Sequence, residues 1–338
     1  MNMNTSTNHR RSAGLGRRRL LAAAAGSAAS AVLMPAFGNT AAFPSKPIEL
    51  LVPFPTGSGS DIGARYYAAQ LTSLAGQPVV VRNVPGGNGF IAVSALGRAA
   101  PDGHTILIGA NSLFVINAVQ FKQLPYDPVR DFSFIGLLNK APCVLAVNGA
   151  SPFRDLKSFV ERARSAPGQL SSATGAASYQ LFAAYFYQLA GIKLNNINYK
   201  GASEVAAAVA ANTVDCGVLD PGSFIALAEA QRLRVLAVAS DKRLPKFADA
   251  PTFAEAGFPA FMVSNWAAAA VPSSTPAAVA SRLGEWFQQI AASQEASDFF
   301  ARTGNQTARM TPDQLRKMQT DELATWRSIA RDIGMQQE

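Results

Sequence analysis

Between the strand-like run Ile48-Glu49-Leu50-Leu51-Val52 and a helix-like run from Ile62 to Leu74, the chain places Pro53-Phe54-Pro55-Thr56-Gly57-Ser58-Gly59-Ser60-Asp61. Three small hydroxyl residues and two glycines at a strand-to-helix turn leave backbone N–H groups uncovered at the positive end of a helix dipole. The chemistry this suits is anion binding without a basic side chain. Asp61 has two readings there. Ser58-x-x-Asp61 fits a helix-capping arrangement, whereas a carboxylate facing an anion site would have to bond a ligand amine.

Other chemistries find less support. Beyond the first 42 residues the only histidine is His104, in the turn Asp102-Gly103-His104-Thr105, and there is no G-x-S-x-G elbow, so neither a hydrolytic triad nor a metal-ligand cluster is expected. Gly57-x-Gly59-x-x-x-Gly63 resembles a dinucleotide fingerprint only loosely. Pro53-Phe54-Pro55 intervenes before the first glycine, and the next strand ends in Arg82-Asn83 without an acidic residue for a ribose hydroxyl. No cofactor is predicted, and a dinucleotide-dependent oxidoreductase is the weakest alternative.

Residues 1–42 read as an export signal rather than as part of the fold. Arg10, Arg11, Arg17, Arg18 and Arg19 precede an Ala/Leu-rich stretch and a small-residue run, and Gly16-Arg17-Arg18-Arg19-Leu20-Leu21 matches the paired arginines of the twin-arginine route. The whole chain has 338 residues and a formal charge of +8, but without those five arginines 25 basic residues face 22 acidic ones, a balance of +3. Near-balance with no basic stripe predicts no nucleic-acid partner, and no later apolar run is long enough to span a bilayer. A periplasmic monomer is the expectation. Its length predicts two lobes. Cys143 and Cys216 could pair in an oxidising compartment, although their strand-like surroundings suit two separately buried thiols.

From Ile48 onward, β-branched runs alternate with helical patterns, which predicts a parallel-rich α/β sheet. Strands are expected at 48–52, 79–82, 105–109, 143–147, 170–173, 196–199, 216–219, 235–239 and 265–271. Helices are expected at 60–74, 91–99, 154–164, 179–190, 204–211 and 223–231, followed by a helical tail over 277–292, 297–302 and 312–333 packed back on the first lobe.

Five motifs occur in order: the Pro53 to Asp61 loop, Arg98-Ala99-Ala100-Pro101-Asp102-Gly103, Leu124-Pro125-Tyr126-Asp127-Pro128-Val129-Arg130-Asp131-Phe132, Tyr199-Lys200-Gly201, and Ala250-Pro251-Thr252-Phe253-Ala254-Glu255-Ala256-Gly257. The set resembles the Bug-type substrate-binding proteins of tripartite tricarboxylate transporters. That resemblance implies a two-lobed α/β periplasmic binding protein of type II, which closes on a small organic acid and docks on membrane permease subunits or on a sensor. It further implies lobe 1 from residues 43–142 and 272–338, lobe 2 from 148–264, and crossing strands at 143–147 and 265–271. An exported sensing or structural receptor with the same fold is the alternative.

Carried over position by position, the implied ligand contacts are Phe54, Thr56, Ser58, Gly59, Ser60 and Asp61, then Ala110, Asn111 and Ser112. From the second lobe they are Thr174, Gly175, Ala176, Ser178, Tyr199, Lys200, Gly201, Asp220 and Pro221. Family members usually show Pro, Gly and Thr at the places of Thr56, Ser58 and Ser60, and a more polar stretch at 173–178. For some of these residues a plainer role competes: Phe54 as core, Asn111 and Ser112 as a turn, Lys200 as solvated surface. Trp266 is expected to pack a hinge rather than to stack on ligand.

Overall fold

The computed structural model describes residues 43–337 except Ala308, so the export-signal reading lies outside the described residues. The first βαβαβ stretch comprises β1 (Ile48–Val52), α1 (Gly59–Ala75), β2 (Val79–Asn83), α2 (Phe90–Arg98) and β3 (Thr105–Ala110), with β1 parallel to both β2 and β3. A π-helical turn, Ser112–Ile116, runs into α3 (Asn117–Gln120). The 17-residue strand β4 (Phe132–Asn148) then enters the second lobe. There follow α4 (Leu156–Ser165), β5 (Ser171–Thr174), α5 (Ala177–Ala190), β6 (Asn195–Asn198), α6 (Ala202–Ala210), β7 (Cys216–Leu219), α7 (Ile225–Glu229) and β8 (Leu233–Ala239). The chain returns along β9 (Ser264–Pro272) and finishes with α8 (Ala277–Ala291), α9 (Gln294–Arg302) and α10 (Pro312–Asp332).

Strand order is β2-β1-β3-β9-β4-β7-β5-β6, with β8 on β4. The two lobes repeat one plan: β1 lies parallel between β2 and β3, and β5 lies parallel between β6 and β7. Loops that leave the carboxyl ends of these parallel strands are where an α/β sheet binds ligands. The parallel-rich expectation needs correction, because all pairings of β4 and β9 are antiparallel. β4 changes partners along its length. As far as Pro142 it pairs with β9, and from Cys143 it pairs with β7 and β8. Its first half was not expected as strand. Gly136 and Asn139 interrupt the apolar run there, and the register shifts twice against β9, between Phe134 and Gly136 and between Leu137 and Asn139.

The alanine run of β9 is buried on both faces. Ala267, Ala269 and Val271 face the cluster around Tyr67, Phe287 and Phe300, whereas Trp266, Ala268 and Ala270 face the one around Phe114 and Trp326. Small side chains let helices approach the sheet from both sides. The tail is therefore split. α8 and α9 close the first face, with Phe287 stacked on Tyr67 at 5.0 Å. α10 takes the other face and reaches the second lobe, where Trp326 stacks on Phe182 of α5 at 5.0 Å. Cys143 and Cys216 are buried free thiols. No described helix is long and apolar enough to cross a membrane.

Candidate functional site

The β1–α1 loop is locked by its own side chains. Ser58 Oγ caps α1 by accepting the Asp61 N–H at 3.2 Å. The Asp61 carboxylate, 1% exposed, accepts the Gly57 N–H at 2.9 Å, Arg65 Nε at 3.1 Å and Asn83 Nδ2 at 2.9 Å. Burial pushes this carboxyl up, but the hydrogen bonds from Arg65, Gly57 and Asn83 and the Arg65 charge outweigh it and hold the group below the usual aspartate value. Its oxygens are engaged inside the loop, so Asp61 is a structural cap and does not line the cavity. Thr56 likewise points away, exposed and donating to Asn83 Oδ1 at 3.2 Å.

Around that loop the lobes line a cavity that is partly open to solvent. Three helix starts meet at its wall: Gly59 and Ser60 of α1, Ala176 and Tyr179 at α5, and Ala202 of α6. Neither α5 nor α6 has a side-chain cap, since Ala176 and Gly201 stand at their N-cap positions. Their first N–H groups have no partner within the helix and remain for a guest. Close backbone approach makes this possible. A Cβ on Gly175 would lie 2.5 Å from the Gly201 carbonyl carbon, so the α5 and α6 entry loops touch main chain to main chain. Across the cleft, a Cβ on Gly59 would lie 2.7 Å from Asp220 Oδ1, and one on Gly201 would lie 2.9 Å from Pro55 Cδ.

Asp220 is buried and receives the Ser223 hydroxyl at 3.1 Å and the Tyr179 hydroxyl at 3.4 Å. Burial pushes its carboxyl above the usual value, and the bonds from Ser223, its own backbone and Tyr179 offset this only in part. Tyr179 accepts Asn265 Nδ2 at 3.1 Å, tying α5 to β9. Trp266, also on the wall, stacks on Phe114 at 5.9 Å and donates its Nε1–H to Glu322, whose carboxyl burial raises to about 7 against the Trp266 bonds and Lys140.

Of the expected contacts, Phe54, Ser58, Gly59, Ser60, Gly175, Ala176 and Asp220 meet at this cavity. Ser112, Tyr199 and Lys200 line an adjoining groove that shares Phe54, Gly175 and Ala176 with it. Phe54 is thus a wall between the two. The others stand behind the surface. Ala110 pairs with Ala267 inside the sheet, Asn111 Nδ2 reaches the Ser264 carbonyl at 3.4 Å, and Thr174 Oγ1 donates to Asn198 at 3.1 Å. Ser178 is fully buried in α5, Gly201 meets Pro55, and Pro221 packs on Gly304. Asn139, Ala141, Tyr179, Ala202, Asn265, Trp266, Ala267 and Asn305 line the cavity without having been expected there. A signal existed for two of them: Asn139 and Asn265 are amides in otherwise apolar strands.

Two α/β lobes that share strands and bring helix starts from both sides to one cleft define a solute-binding protein of the two-lobed type II periplasmic kind. The chain belongs to the tripartite tricarboxylate transporter family of receptors, whose model matches residues 64–335. It is 33% identical over 320 residues, 94% of each chain, to a protein encoded in the tcbD-tcbE intergenic region of Pseudomonas sp. strain P51. To protein BugT of Bordetella pertussis it is 29% identical over 295 residues, covering 86% of this chain and 90% of BugT. Among solved structures, the periplasmic binding protein BugD has a TM-score of 0.82 at 26% identity, covering 88% of this chain and 100% of BugD. The R. palustris protein Rpa4515, solved with adipate, has a TM-score of 0.85 at 26% identity over the same shares. The protein is a receptor, not an enzyme.

Proposed function

We propose that this receptor captures a small organic carboxylate in the interlobe cavity and hands it to the membrane subunits of a tripartite tricarboxylate-type transporter. The observation that carries this reading is the convergence of three helix N-termini, from both lobes, on a cavity lined, among the described residues, by no Lys, Arg or His side chain. Each helix start carries roughly half a positive charge and unpaired N–H donors. Together they suit an anion that must be released again, since no fixed cation grips it. The adipate complex of Rpa4515 supports the same chemistry.

Capture follows from the geometry. A carboxylate first meets the capped, stiff β1–α1 loop of the first lobe, and closure then brings up the uncapped starts of α5 and α6. Water leaves the cavity as the lobes meet, which strengthens every N–H to carboxylate bond. The lobes are residues 43–142 with 272–338, and 148–264, joined at 143–147 and 265–271. The leader 1–42 is cleaved after twin-arginine export, and the receptor works as a periplasmic monomer. The contacts are Phe54, Ser58, Gly59, Ser60, Gly175, Ala176 and Asp220, joined by Asn139, Asn265 and Asn305.

The test is a melting-temperature screen of the exported protein against mono-, di- and tricarboxylates, adipate included. A ligand at one hundred times its Kd adds about 2.7 kcal/mol of stability, which shifts the transition visibly. If no carboxylate of any length moves it, the cavity is not a carboxylate site.

A further inference from the structure

A cavity built for an acid has one wall that a plain acid does not use. Asp220 and Asn305 both line it and are each 5% exposed. They stand side by side, since a Cβ on Gly222 would lie 3.3 Å from Asp220 Oδ1 and 3.1 Å from Asn305 Nδ2. Asn305 Nδ2 donates to Thr303 Oγ1 at 3.1 Å, which leaves the Asn305 Oδ1 acceptor buried without a partner among the described residues. Asp220 receives neutral donors only, the Ser223 and Tyr179 hydroxyls and nearby backbone N–H groups, and among the described residues no basic side chain lines the cavity. One wall therefore holds two acceptor groups, a carboxyl with no basic partner and an amide oxygen with no partner at all among the described residues. A ligand made only of carboxylates would present further acceptors to it, and a buried acceptor left unmatched is costly.

Resting on the reading of the cavity as a carboxylate site, we propose that the ligand carries a hydrogen-bond donor, an ammonium or a hydroxyl, and that Asp220 and Asn305 read this donor. Its place along the ligand follows from Gly59. Asp220 Oδ1 stands 2.7 Å from where a Cβ on Gly59 would be, at the head of α1. The donor site thus adjoins the carboxylate site, and the substituent belongs on the carbon next to the carboxylate. Asp220 and Asn305 are specificity determinants; the helix starts supply the grip on the acid itself.

Titration calorimetry on the exported protein tests this with matched acids: succinate, malate and aspartate; glutarate, 2-hydroxyglutarate and glutamate; adipate and 2-aminoadipate. The expected result is that a substituted acid of one length binds about tenfold or more tighter than its plain parent, as a charge-assisted hydrogen bond implies. Asn305→Leu should then remove most of that preference. Asp220→Asn separates the two donors: it should abolish the preference for an ammonium and keep that for a hydroxyl. Plain parents binding as tightly as their substituted partners overturn the proposal, as do variants that weaken both alike. Those outcomes leave the carboxylate reading standing, and binding by none of the eight acids overturns this proposal, while the carboxylate reading falls only if the wider screen of mono-, di- and tricarboxylates also fails.

Discussion

Each lobe has a buried aspartate at the site, and the two are treated in opposite ways. Asp61 in the first lobe is matched by the Arg65 guanidinium, the Gly57 N–H and the Asn83 amide, and its carboxyl is held below the usual value. Asp220 in the second is matched by hydroxyls and backbone N–H groups with no cation beside it, and burial drives its carboxyl up. The helix starts repeat this contrast. α1 is capped by Ser58, whereas α5 and α6 have Ala176 and Gly201 where a capping side chain would stand. The first lobe therefore spends its polar groups on its own shape, and the second leaves donors and a charge unmatched for the ligand to complete.

Breaking the first-lobe network should have the largest effect. Asp61→Ala removes the acceptor of the Gly57 N–H, the Asn83 amide and the half-exposed Arg65 guanidinium, and the loss of these hydrogen bonds should cost about 3 kcal/mol in urea unfolding. The pH dependence gives the sign. A carboxyl held below 3.8 in the fold contributes stability that is present above 3.8 and is lost as pH falls through the lowered folded value. The variant should lack that part of the acid limb. An unchanged unfolding midpoint would mean that the loop is not held by Asp61.

The second lobe should instead fail in binding. Gly175→Val puts a side chain where only 2.5 Å separates the Cβ position from the Gly201 carbonyl carbon, forcing the α5 and α6 entries apart. Overpacking of this kind costs about 1–3 kcal/mol, so affinity for the best acid should fall by up to roughly a hundredfold in calorimetry. Affinity within threefold of the parent would show that the two helix starts do not act as a pair.

This division of labour was only partly legible in the sequence. The glycine and hydroxyl loop announced itself because strand, turn and helix start lie within a few residues, and local spacing also contained the Ser58 and Asp61 cap. Spacing left Asp61 open between cap and ligand contact because it cannot say which way a carboxylate turns once Arg65 and Asn83 arrive beside it. The second-lobe wall is tertiary: Asn139 comes from β4, Asn265 from β9 and Asn305 from the stretch after α9. Asn139 and Asn265 leave one trace, an amide in a largely apolar strand, and Asn305 leaves none in the polar run Thr303-Gly304-Asn305-Gln306-Thr307. β4 was half missed for a related reason, as Gly136, Asn139 and two register shifts spoil the alternation that marks a strand.

Asp220→Asn sharpens the contrast by reversing the sign seen at Asp61. A carboxyl raised above 3.8 in the fold costs stability as pH rises from the unfolded value through the folded one. The amide does not titrate, so the variant without ligand should lose that slope and gain on the parent as pH rises. Melting curves from pH 3 to pH 8 check it, and a loss of stability at neutral pH would mean that the Asp220 charge is already well matched.

The smallest expected change gives the second lobe what the first already has. Ala176 is the N-cap of α5 with φ −162° and ψ 159°, an extended conformation that a capping serine adopts readily. In Ala176→Ser the new hydroxyl can accept an N–H of the first turn, as Ser58 does at α1. Such a cap is worth about 1 kcal/mol, so the melting temperature without ligand should rise by a few degrees. The same bond would take a donor from the ligand, so affinity for the acid should fall several-fold. Stability and binding should therefore move in opposite directions from one added oxygen. If both rise together, the α5 start was not reserved for the guest, and the difference between the lobes lies in the two aspartates alone.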